Sequence, residues 1–136
     1  GELFRSHQYS DAAMAYEMSL DEWSKNNSTS NITNNNTGSL DRALLQSNLI
    51  ACYLKLQRYE DALALSTRLV TENPRWAKGH VRLASTYSAL RRSNDACNSL
   101  QRALQLDPTH PTARTMLANK LRRTRHQTAA TALTSK

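Results

Sequence analysis

The sequence predicts an all-α fold built from repeated pairs of helices, and three observations carry that reading. Helix breakers are scarce, with Gly 3 and Pro 3 in 136 residues, too few for the turns of a β-sandwich or barrel and suited to long helices. Hydrophobic residues make up 39% and charged ones 21%, which is the balance of an ordinary globular domain and not of a disordered chain. The sequence also matches itself at an offset of 34 residues, where Leu49 falls on Leu83, Tyr53 on Tyr87, Leu56 on Leu90, Ala62 on Ala96 and Pro74 on Pro108. A period of that length fits one helix–turn–helix unit.

The elements follow in order. Tyr9, Ala12 and Tyr16 repeat the spacing of Tyr59, Ala62 and Ser66 at an offset of 50. A first unit is therefore expected over residues 1–25, its first helix truncated and ending at Leu3 and Phe4. The extra length relative to the period is an insertion over residues 26–38. Of the 16 residues from Ser24 to Ser39, 13 are Ser, Thr or Asn, and such a stretch cannot bury enough apolar area to order itself. Its Asn-x-Ser/Thr triplets at Asn26, Asn27, Asn31 and Asn35 read as low complexity in a cytosolic loop, since glycosylation needs a secreted chain.

The second unit is expected over residues 39–76 and the third over 77–110. Leu49 and Tyr53 stand four apart and point together at the second helix of their unit. Ala62 and Ala96 fall where two helices cross closely and a larger side chain would push them apart. Pro74 and Pro108 end one unit and open the next helix, with Asn73 as a cap just before. After Pro111 an amphipathic segment places Ala113, Met116, Leu117 and Leu121 to cover the open end of the stack, followed by a basic tail to residue 136 that frays beyond about Gln127.

The 34-residue period, with Leu, an aromatic residue, a small Ala and a closing Pro in that order, resembles the tetratricopeptide repeat. The resemblance implies three helix–turn–helix repeats plus a C-terminal capping helix, wound into a right-handed solenoid whose concave groove is lined by the first helix of each repeat.

Several functional classes are excluded or set aside. No apolar run approaches the roughly 20 residues of a membrane-spanning helix, and the N-terminus has no signal-peptide core. Cys52 and Cys97 are the only cysteines and read as small buried thiols in a reducing compartment. The four histidines are scattered, so neither a metal site nor a cofactor is expected. Glu60-Asp61 and Asp21-Glu22 diverge by about 100° per residue on a helix and do not converge on a substrate, and no Gly-rich phosphate loop or nucleophile elbow is present; the chain reads as a binding module and not an enzyme. The net charge of +7 arises mainly from residues 111–136, which hold six basic side chains and no acidic one, so the overall charge is not a nucleic-acid footprint.

Binding is expected from the first helices. Asn48 and Arg82 are 34 apart and hence equivalent, Lys78 stands four before Arg82, and Lys55 seven after Asn48. An amide and three cations thus share one concave face without an acid to neutralise them, which suits a carboxylate-rich peptide. Ser47-Asn48-Leu49 and Trp76-Ala77-Lys78-Gly79-His80-Val81-Arg82 resemble the dicarboxylate clamp of chaperone-binding tetratricopeptide domains. That resemblance implies a co-chaperone module gripping the acidic Glu-Glu-Val-Asp tail of cytosolic heat-shock chaperones of the seventy- and ninety-kilodalton classes. Asn48 would hold the terminal carboxylate, and Lys78 and Arg82 the acidic groups near it. The family also uses a Lys and an Asn in the first repeat; counting back from Tyr9 puts the Asn position on Gly1 and the Lys position before the chain. Phe4 and Arg5 are expected to supply part of that wall, and Ala51 to line the groove. Two alternatives stand beside this reading: a scaffold for an unrelated peptide or protein partner in the same groove, and an electrostatic binder of nucleic acid or acidic membrane through Leu121-Arg122-Arg123-Thr124-Arg125-His126, which lacks the aromatic interleaving that stacks bases.

Overall fold

The computed structural model describes the backbone of residues 2–28 and 36–134 and the side chains of residues 4–25 and 41–126. Among these residues there are six helices and no strand: α1 (Glu2–Ser28), α2 (Asn36–Lys55), α3 (Tyr59–Glu72), α4 (Ala77–Ala89), α5 (Ser93–Leu106) and α6 (Pro111–Thr134). Each helix packs on the next, and α2 and α4 also pack directly on each other. The second helices α3 and α5 have no contact of that extent. In a stack of helix pairs the row whose members touch is the inner one, so α2 and α4 line the inside of the curve. None of the described helices is long and apolar enough to cross a membrane.

The repeat positions do the packing that their spacing implies. Ala62 and Ala96 are both 0% exposed, each at the crossing within its pair. One core gathers Ala13, Ala43, Leu49, Ile50, Cys52, Tyr53, Ala62 and Leu69. A second gathers Val81, Ala84, Ala96, Leu100, Ala103 and Ala113. Where α3 meets α4, the buried hydroxyls of Ser66 and Thr86 hydrogen-bond at 3.0 Å. Trp76 packs against the first core and over Gly79, which ties the start of α4 to α3.

Several expectations are corrected. No turn follows Phe4: residues 2–28 contain neither Gly nor Pro, and α1 runs through as one helix, so the first unit contributes a single long helix among the described residues. The Asn/Ser/Thr-rich stretch is helical at both ends, since 26–28 close α1 and 36–38 open α2; its middle, 29–35, lies outside the described residues. Asn73 does not open a helix. It ends α3, its backbone N–H and its side-chain amide both donating to the Leu69 carbonyl, at 2.9 and 3.2 Å, while Pro74 and Pro108 sit in turns and only Pro111 starts a helix. The α6 backbone stays helical to Thr134. Ala113, Met116 and Leu117 cover the second core, but Leu121 is 53% exposed, one turn beyond the end of that core. Cys52 is buried and Cys97 only half-buried, both as free thiols.

The turns inside the two complete pairs are copies of one another. Arg58 N–H reaches the Tyr53 carbonyl at 2.8 Å and Arg92 N–H the Tyr87 carbonyl at 2.8 Å, each closing a helix C-terminus around a left-handed residue, Gln57 (φ 61°) or Arg91 (φ 61°). That bond pattern is the Schellman motif, whose left-handed position glycine fills most readily.

Three stability predictions follow from this packing and these turns. Ala96→Leu is expected to cost about 1–3 kcal/mol by overpacking a crossing that has no spare room; an unchanged thermal midpoint would mean that α4 and α5 do not meet there. Gln57→Gly should gain about 0.5–1 kcal/mol by relieving the left-handed backbone. Gly79→Ala should gain a similar amount, because an added Cβ meets Trp76, Leu69 and Val70 at ordinary contact distances of 3.5–3.7 Å and the helix loses a flexible residue. Denaturant midpoints of the two variants check both signs.

Candidate functional site

Asn48 lies on α2, and Lys78 and Arg82 lie on α4, the two helices of the inner row. Arg82 joins the two helices. Its Nε donates to Ser47 Oγ at 2.9 Å, across the repeat boundary, and its side chain is half-buried. Burial lowers the pKa of this guanidinium, as expected for a cation partly removed from water. Burial raises the pKa of the neighbouring Cys52 thiol, and the Arg82 charge draws it part of the way back. A guanidinium carries five N–H donors, and Ser47 uses one. No described carboxylate forms an ion pair with Arg82, Lys78 or Lys55, so their charges face the groove uncompensated.

The other expected residues lie on α1, α2 and α4. Asn48 and Lys78 are half-buried, Ala51 is half-buried one turn along α2 from Ser47, and Lys55 is exposed at the last residue of α2. Phe4 (66% exposed) and Arg5 begin α1, which packs on α2; among the described residues no hydrogen bond or ion pair joins Arg5 to the face of α2 and α4.

A polar arrangement absent from the sequence reading holds α1 to α2. The Tyr53 hydroxyl donates to Glu17 Oε1 at 2.5 Å, Arg58 stacks its guanidinium 4.5 Å from the Tyr53 ring centroid, and Arg58 in turn bonds Asp61 at 2.9 Å. The next pair repeats it, with Arg92 4.8 Å from the Tyr87 ring and 2.8 Å from Asp95. The signal was present in the offset of 34, which also carries Arg58 onto Arg92 and Asp61 onto Asp95. Beside it, α1, α2 and α3 line an open cleft of about 440 Å³, with the buried Gln46 among its lining residues.

Stacked helix pairs with a touching inner row, and no strand among the described residues, define a helical-repeat fold. Residues 77–110 match the family model described as "Tetratricopeptide repeat", and the fold of the chain matches that of solved tetratricopeptide domains. One of these is the first such domain of Spaghetti (RPAP3) bound to the HSP90 peptide SRMEEVD, with a TM-score of 0.59 at 19% identity, covering 88% of this chain and 86% of that one. Another is the second such domain of human RPAP3 in complex with the HSP70 peptide SGPTIEEVD, with a TM-score of 0.57 at 21% identity, covering 88% and 98%. At these identities the likeness is one of fold. In sequence, the chain is 35% identical over 71 residues to heat shock protein STI1 of Saccharomyces cerevisiae, covering 52% of this chain and 12% of that protein. The chain spans about an eighth of the length of the curated relatives that it matches first.

The Tyr53 hydroxyl gives this region a pH signature. Burial, then the hydrogen bond to Glu17 and the Glu17 charge, raise its pKa well above the ordinary tyrosine value of about 10. A raised native pKa contributes stability that is complete below the unfolded value and is lost as pH climbs through the native one. In an alkaline titration followed by phenolate absorbance, one of the five tyrosines should therefore ionise last, together with loss of helicity, and Tyr53→Phe should remove that late step. A variant that loses only a normally titrating phenol would contradict the Glu17 contact.

Proposed function

We propose that this domain binds the acidic C-terminal tails of cytosolic heat-shock chaperones of the seventy- and ninety-kilodalton classes, as the interaction module of a co-chaperone. The observation that carries the reading is Arg82, a half-buried cation anchored by Ser47 across the repeat boundary, with no ion pair to a described carboxylate. Such a cation lacks only its anion. An incoming carboxylate meets donors that are already ordered and partly dry, where charge-assisted hydrogen bonds are strongest. Asn48 takes the terminal carboxylate; Arg82 takes an acidic group through two parallel N–H bonds, and Lys78 adds a point charge one turn earlier. Ala51 and Lys55 extend the wall along α2, and Phe4 and Arg5 stand at its α1 end.

Two findings on other proteins support this assignment. Domains of the same fold are held with peptides ending in Glu-Glu-Val-Asp, and the matched relative STI1 is a heat shock protein. On this reading the domain works in the cytoplasm, by binding and without catalysis, and needs no cofactor or metal.

Calorimetry with a free-acid Glu-Glu-Val-Asp peptide tests it. Charged hydrogen bonds contribute roughly 1.5–3 kcal/mol, so Arg82→Ala should weaken binding about tenfold or more while circular dichroism stays unchanged. Asn48→Ala should act in the same direction, and amidating the peptide should make the wild type resemble that variant. Equal affinity for wild type and Arg82→Ala, or indifference to amidation, would move the reading to a scaffold for another partner.

A further inference from the structure

The far end of α4 carries a second concavity that the peptide face does not use. It measures about 630 Å³ and opens where the end of α4, the turn into α5, the start of α5 and the middle of α6 come together. Three cations line it, Arg91 from the turn and Lys120 and Arg123 from α6. Lys120 and Arg123 are three apart and share one face of α6, while Arg122 and Arg125 diverge from that face by about 100° and 200°. None of the three lining cations forms an ion pair with a described carboxylate, and Asp95, in the first turn of α5, is held by Arg92 at 2.8 Å.

Two further features point to an absent ligand. Ser88 lines the same concavity, and its Oγ, shielded from solvent at the edge of it, has no hydrogen-bond partner among the described residues. Buried hydroxyls are ordinarily satisfied, and one left over calls for an acceptor. The first turn of α5 also opens here, with Ser93 and Asn94 in the lining and no side-chain cap on its backbone donors, so the positive end of that helix adds to the cationic field.

We infer that this concavity binds a phosphate dianion, carried on a phosphorylated side chain or free. A phosphate brings a charge near −2 and three strong acceptor oxygens, which matches three separate cations and a hydroxyl better than the single charge of a carboxylate does. A nucleic-acid strand is disfavoured, because the lining has no aromatic ring to stack a base and its three cations line a single concavity instead of an extended track. The inference goes beyond the peptide-binding proposal and uses none of its residues.

The test is amide chemical-shift mapping on the whole 136-residue chain, titrated with O-phosphoserine, inorganic phosphate and unmodified serine. Saturable shifts confined to residues 88–97 and 120–124, given by phosphoserine or phosphate and not by serine, are the expected result. Phosphoserine binding more tightly than inorganic phosphate identifies a phosphorylated side chain as the source, and the reverse order identifies free phosphate; both support the site. Arg91→Gly and Arg123→Gln should each weaken binding about fivefold. Arg91→Gly also relieves a left-handed residue, so loss of binding in that variant is not loss of fold, and Gln57→Gly serves as the matched control with unchanged binding. Diffuse shifts, an equal response to serine, or affinity unaffected by both charge variants overturns the inference. So does displacement of phosphoserine by lower concentrations of a single-stranded oligonucleotide or of phosphatidylserine vesicles, which would assign the cations to a different class of partner.

Discussion

Within each complete pair, the two helices meet at an alanine that has no exposed surface, Ala62 in one pair and Ala96 in the next. A single methyl at the crossing lets the backbones approach closely, and the rest of the arrangement follows from that approach. Close pairs leave the first helices α2 and α4 able to touch across the repeat boundary. That contact brings Arg82 within hydrogen-bond reach of Ser47. The groove's charge is thus fixed in place by a steric requirement on the opposite side of the same helices.

The polar contacts divide into two sorts. Tyr53–Glu17, Arg58–Asp61 and Arg92–Asp95 join a donor to an acceptor already in the chain and act as fasteners between neighbouring helices. Being largely exposed, their ion pairs contribute little individually, and their value lies in setting which helix faces which. Arg82, Lys78, Arg91, Lys120 and Arg123 are different. Their charges have no acidic counterpart among the described residues, in a chain whose acidic side chains, 11 against 18 basic, are too few to serve them all. On the proposals made above, these are the cations that receive anions from elsewhere.

The repeat architecture was legible in the sequence because helix packing leaves a period: Leu49 and Leu83, Tyr53 and Tyr87, Ala62 and Ala96 must recur when identical units stack. That Arg82 reaches α2 was legible for the same reason, since neighbouring first helices in a stack of repeats lie side by side. What could not be read were features without a period. The unbroken course of α1 through residues 5–8 contradicts an expected turn, because no residue there forces a break and none announces its absence. Asn73 looked like the start of a helix, since a polar residue before proline suits either end; only the Leu69 carbonyl decides between them. The concavity at Ser88 draws on α4, α5 and α6 together, and no local pattern predicts which residues of a basic helix turn inward.

The hydroxyl pair of Ser66 and Thr86 has a bearing on how the domain comes apart. It lies between two apolar cores, one made by α1 to α3 and the other by α4 to α6. Apolar side chains gain nothing from water, but two hydroxyls can exchange their mutual bond for bonds to solvent at little net cost. The seam between α3 and α4 is therefore a plane between the two cores at which water competes with the chain's own polar contact. Asn48 belongs to one half and Arg82 to the other, so a ligand that grips both is also a splint across that plane.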